Sequence, residues 1–122
     1  MKLDYKTYAG ACKGFKFKES WEVFSGNIDR HDPRITAIRI KFADSSAKEH
    51  TFGEFSSKSS KIGNYLKKII VKKGDRIAVL LFPSIELYSS FFGIMKAGAV
   101  VIPCFPLFGE EAIVNCKITR ML

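Results

Sequence analysis

The sequence predicts an α/β fold, a strand-helix-strand parallel unit preceded by a β-hairpin and a helix. Three observations carry this expectation. After the turn pair Gly74-Asp75, the run through Ile77, Val79 and Leu81 is apolar enough for a strand buried on both faces. Ala99 to Ile102 form a second such run, which Pro103 is expected to close. Between them, Ile85, Leu87, Tyr88, Phe91, Phe92, Ile94 and Met95 predict a mostly buried helix whose wet edge is Glu86, Ser89, Ser90 and Lys96. Pro83 stops the first strand, Ser84 caps the helix, and Gly98 ends it where a left-handed residue is cheapest. Strands joined in this way run parallel, with a right-handed crossover.

Upstream, residues 1–18 mix glycines and lysines without a period and are expected to form an irregular arm. Trp21, Val23, Phe24 and Ile28 predict a short helix, capped by Ser20, that stops before Asp32-Pro33 because the residue preceding proline avoids helical geometry. Alternation from Ile35 to Phe42 predicts a half-buried strand; Asp44-Ser45-Ser46 supplies a turn, and Lys48 to Phe52 pair back antiparallel. Thr51 and Glu54 fit a capping box, which places a helix from about Gly53 to Val71. Gly109-Glu110-Glu111 starts another helix, and no third strand is expected after it. Two parallel strands alone leave apolar surface uncovered, so self-association, or a partner covering the strands near Val79 and Val101, is expected.

At 122 residues and 47% apolar content the chain suits one globular domain. No run approaches the roughly 20 apolar residues that span a bilayer, and the start lacks the apolar core of a secretory signal. The expected location is the cytoplasm. A net charge of +8 raises a polyanionic partner such as nucleic acid. Lys58, Lys61, Lys68 and Lys72 share one side of the long helix, however, opposite Phe55, Ile62, Leu66, Ile69 and Ile70, as on the solvated side of any packed helix.

The chemistry-bearing residues do not assemble into a site. Cys12, Cys104 and Cys116 match neither a disulfide framework nor a zinc site, and Cys104 has no base nearby in sequence. His31-Asp32 and Glu49-His50 lack the spacing of a metal site, and both histidines are expected to face solvent. Gly93 and Gly98 have P-loop spacing, but Ala99-Val100 stand where Lys-Ser/Thr is required, and the order is helix to strand. Most of the eleven phenylalanines are placed for a core or contact surface, not for stacking bases between lysines.

The run Val71-Lys72-Lys73-Gly74-Asp75-Arg76-Ile77-Ala78-Val79-Leu80-Leu81 resembles a strand of the AMP-forming acyl-CoA synthetases, an adenylate-forming family. Glu86-Leu87-Tyr88, Phe92-Gly93-Ile94, Lys96 to Pro103 and Phe105-Pro106-Leu107-Phe108-Gly109 are similar to the helix, strand and loop that follow in that family. Asp32-Pro33-Arg34 and Thr51-Phe52-Gly53-Glu54-Phe55 resemble segments before it. The resemblance runs from about Trp21 to Ala112, is specific from Lys73 to Gly109, and fades from Val114 onward. It implies that residues 19–122 are a partial N-terminal domain of an enzyme that uses ATP and Mg²⁺ to adenylate a carboxylic acid and passes the acyl group to CoA. The loop from Pro103 to Gly109 looks closest to acetyl- and medium-chain acyl-CoA synthetases. The family's phosphate loop, adenine-binding motif and catalytic lysine have no counterpart here. No catalytic, cofactor-binding or metal-binding residue is therefore assigned, and this part is expected to be inactive alone, with the remainder of the synthetase as its partner. The competing expectation is a small non-catalytic basic module that binds nucleic acid or another polyanion.

Overall fold

The computed structural model describes residues 25–104, 106–107, 109–115 and 120–121. Along the chain these form α1 (Ser25–Arg30), β1 (Thr36–Lys41), β2 (Ala47–Thr51), α2 (Phe52–Lys68), β3 (Arg76–Leu80), α3 (Ile85–Lys96), β4 (Val100–Cys104), α4 (Glu110–Asn115) and β5 (Arg120–Met121). The arm expected over 1–18 lies outside the described residues, as does the start of the helix expected around Trp21. Its described part ends at Arg30, ahead of Asp32-Pro33.

β1 and β2 pair antiparallel, with Ile38 opposite His50 and Ile40 opposite Lys48. The register shifts at Ala37, a bulge that leaves both Ala37 and Ile38 packed against the core. Across the strands Arg39 pairs with Glu49, whose other carboxylate oxygen accepts from the Thr36 hydroxyl. The turn holds Ser45 at φ 66°, and the Asp44 carboxylate accepts from the Ser46 amide at 2.9 Å and the Ser46 hydroxyl at 2.5 Å. That side chain mimics a backbone turn, which is why Asp favours such positions.

Half of the expected capping box forms. Thr51 Oγ1 accepts from the Glu54 amide at 3.2 Å, but the Glu54 carboxylate turns to His50 Nδ1, 2.9 Å away. His50 is thus buried, not solvent-facing: it is 3% exposed. α2 stops at Lys68, earlier than the expected Val71, because Ile70 takes a left-handed conformation at φ 60°. The Ile70 amide donates to Lys67 O and the Val71 amide to Leu66 O, which satisfies the last carbonyls of the helix. Ile70 itself is 73% exposed and takes no part in the apolar face assigned to it.

β3 is the central strand of a sheet ordered β4-β3-β5, parallel throughout. Ile77, Ala78 and Val79 have no solvent exposure, as the unbroken apolar run predicted. Pro103 does not close β4 but lies within it, opposite Val79. A proline fits there because β4 is an edge strand and the missing N–H breaks no ladder. The third strand, not expected from the sequence, is β5: Arg120 and Met121 pair with Ile77 and Ala78. A two-residue strand carries too short a pattern to be seen as one. Val79 is buried and Val101 half-buried, while the large apolar residues exposed on or just beyond these two strands are Val100, Leu81 and Phe82.

Two apolar clusters hold these layers. Leu66, Val71, Ile77, Val79, Ile94 and Ala99 join α2 and α3 to the sheet; Ile28, Phe55 and Ile85 join α1, α2, α3 and the hairpin. In the second, Phe55 meets Phe92 edge to face at 5.0 Å, the favoured geometry for two aromatic quadrupoles.

Candidate functional site

α2 and α3 approach each other along small residues. α2 buries Phe55, Ser59, Gly63 and Leu66 on one stripe, and α3 buries Ile85, Ser89, Ser90, Gly93 and Ile94. A Cβ at Gly93 would stand 2.7 Å from Ile62 Cβ and 2.8 Å from Ser59 O, so only glycine allows this spacing. Ser89 and Ser90, expected at the wet edge of α3, therefore lie in the seam. Ser89 Oγ is buried there without a hydrogen-bond partner.

Lys96 continues the same stripe one turn on and is the second correction to that edge. Its side chain is 12% exposed, and its ammonium donates to Asp29 Oδ1 at 2.9 Å, Ser59 Oγ at 3.0 Å and Ser60 Oγ at 3.0 Å. Asp29 Oδ1 also accepts from the Ser56 hydroxyl, and Ser59 Oγ is close to Ser56 O at 2.9 Å. The cluster thus ties α1, α2 and α3 together from positions 67 residues apart in sequence. An open cleft of about 280 Å³ beside it is lined by Asp29, Ser60, Gly63, Asn64, Lys67 and Lys96. An ammonium carries three N–H donors, and all three are engaged, so Lys96 has none left for a ligand and acts as a structural tie. The signal for this seam was present in sequence: Ser59 and Gly63, like Ser89 and Gly93, stand four residues apart on their helices.

The other candidates do not converge. Exposed His31 stacks on Phe52 at a centroid distance of 4.3 Å, while Asp32 pairs with Arg34. The Arg34 side chain and amide hold the Asp32 carboxyl below its ordinary value. Cys104 is a buried thiol 3.8 Å from Ile102 O, which suits a small core residue; Cys12 and Cys116 lie outside the described residues. Gly98 has φ 79° and ends α3, as expected, and Gly93 lies inside that helix, so neither belongs to a phosphate loop. Lys61, Lys67, Lys68 and Lys72 are exposed, whereas Lys58 bridges Glu54 and Glu86. Among the described residues no group of three His, Cys, Asp or Glu side chains is placed to hold a metal ion. No described helix is long and apolar enough to cross a membrane. These residues do not fit a nucleotide or Mg²⁺ site.

Comparison with known proteins identifies the architecture. The chain superposes on a fatty acid AMP ligase from Legionella pneumophila with a TM-score of 0.71 and 18% identity, over 98% of this chain and 21% of that one. The fold is that of the N-terminal subdomain of adenylate-forming enzymes. The AMP-binding enzyme family model matches residues 27–117, and the chain belongs to that family. It is 36% identical over 90 residues to an acetyl-coenzyme A synthetase of Bacillus subtilis, across 70% of this chain and 16% of the relative. It is 32% identical over 92 residues to surfactin synthase subunit 1 of the same species, across 75% of this chain and 2% of the relative. The chain thus spans less than a fifth of either curated relative.

Proposed function

We propose that this chain is the N-terminal part of an AMP-forming acyl-CoA synthetase, with residues 1–18 as an arm and 19–122 as a partial N-terminal domain. The whole enzyme joins a carboxylic acid to CoA, with ATP converted to AMP and pyrophosphate. The observation that supports a CoA-dependent synthetase is the 36% identity to the acetyl-coenzyme A synthetase sustained over 90 residues; a nonribosomal peptide synthetase reaches 35%, but over 72 residues. In this reading the chain supplies scaffold: the sheet, the α2–α3 seam and the Lys96 tie. Residues for ATP, Mg²⁺, CoA and catalysis come from the remainder of the synthetase, so the isolated chain is inactive.

The isolated chain is expected to show no ATP–pyrophosphate exchange that depends on a carboxylic acid; exchange at ordinary enzyme concentrations would overturn its assignment as scaffold. Residues 27–117, grafted in place of the matched segment of the B. subtilis acetyl-coenzyme A synthetase, are expected to retain acetate-dependent exchange and CoA thioester formation. A graft without exchange counts against the proposal.

A further inference from the structure

Three of the nine large apolar residues exposed among the described ones, Leu81, Phe82 and Leu107, lie where the loops leave the parallel strands. Leu80 and Cys104 are opposite one another in the register, so the loops after β3 and β4 depart from the same end of the sheet. Phe82 lies within about 7 Å of Leu80, and Leu107 within about 11 Å of Cys104, by the reach of the chain. Phe82 is 70% exposed, Leu107 is 92% exposed, and Leu81 is also exposed. Each loop carries a proline, Pro83 or Pro106, whose ring fixes its own backbone φ. No charged residue occurs from Ile77 to Ile85 or from Ala97 to Gly109, in a chain with 32 charged side chains. Single exposed apolar residues need no explanation, but an uncharged apolar group at one end of a sheet marks an interaction surface.

We infer that Leu81, Phe82 and Leu107 form the surface on which the remainder of the synthetase packs; this rests on the function proposed above. The occupant follows from size and charge. The acetyl-coenzyme A synthetase relative has most of its length outside the matched segment, enough to supply a large covering surface. A second copy of this chain would instead bring a further +8 charge against a chain already at +8.

The test is the grafted synthetase, with Phe82→Asp and Leu107→Asp together, against a control pair, Ile35→Asp and Phe42→Asp, exposed on the hairpin. The Phe82/Leu107 pair is expected to lower acetate-dependent exchange at least tenfold, and the hairpin pair less than twofold. In the isolated chain the Phe82/Leu107 pair is expected to remove at least half of the binding of an apolar fluorescent dye, with far-UV circular dichroism unchanged. An active graft that tolerates Phe82→Asp and Leu107→Asp overturns the docking surface and leaves the proposed function intact. A graft inactive before either pair is introduced overturns both. Self-association of the isolated chain that the Phe82/Leu107 pair abolishes, with the graft unaffected, assigns the patch to a second copy and overturns the inference.

Discussion

Helices α2 and α3 end in the same hydrogen-bond pattern on different residues. At α3 the Gly98 amide donates to Met95 O and the Ala99 amide to Ile94 O; at α2 Ile70 and Val71 donate to Lys67 O and Leu66 O. In each case the third residue after the last helical turn packs back onto the same apolar cluster, through Ala99 against Ile94 and Val71 against Leu66. Gly98 takes its positive φ without steric cost, whereas Ile70 brings a β-branched side chain into a region that L-residues avoid. Burial of Leu66 and Val71 holds the α2 end in place despite that strain. Packing can impose on isoleucine a geometry that glycine adopts unaided.

The largest effect is expected from the other glycine of α3, which is needed for space and not for φ. Gly93→Ala places a Cβ against Ile62 Cβ and Ser59 O, neither of which is the far end of a flexible chain. It is expected to destabilise the chain by about 2 kcal/mol or more, measured by urea denaturation. A loss below that of an exposed-site control would show that the α2–α3 seam can open at little cost.

Gly98→Ile gives the two helix ends the same kind of residue. The atoms nearest its Cβ would be those of Lys73, at ordinary contact distances of 3.7 Å and beyond, so the cost is conformational. A loss of about 1–2 kcal/mol in urea denaturation is expected. The reverse change, Ile70→Gly, is expected to raise stability by about 1 kcal/mol, less the flexibility glycine adds to the unfolded chain. No gain would mean that Ile70 contributes packing its exposure does not show.

The smallest effect concerns a third left-handed residue, Ser45, whose turn is supported by Asp44. Hydrogen bonds from the Ser46 hydroxyl and then the Ser46 amide hold the Asp44 carboxyl below its ordinary value of 3.8. A lowered folded-state pKa means that the unfolded chain binds the proton more readily. The contribution is therefore complete above pH 3.8 and is lost as pH falls through the folded value. Thermal melts of the native chain and Asp44→Asn are expected to differ most near neutral pH and to converge below pH 3.8. A gap that persists at low pH would assign the effect to something other than ionisation.

Much of the architecture was legible in local pattern. The Ile77–Val79 strand, the Ser84 cap, the Gly98 stop and the hairpin each depend on neighbours within a few residues, and the resemblance around Lys73 to Gly109 led to the family. The polar residues of α3 were misplaced because hydropathy assigns Ser89, Ser90 and Lys96 to water. What buries them is the approach of α2, made possible by Gly63 and Gly93 and closed by Asp29 from α1. His50 was misplaced for a related reason: Glu54 satisfies it from the first turn of the next helix, a pairing that exists only once strand and helix are folded.

Periodicity, proline, glycine and capping residues thus carried the order and type of most elements, since their physics acts over one turn or one strand. The buried polar contacts, the place of Pro103 on an edge and the two-residue β5 required the assembled molecule. A lysine becomes a buried tie, and a proline is tolerated in a strand, according to which distant segment lies beside it.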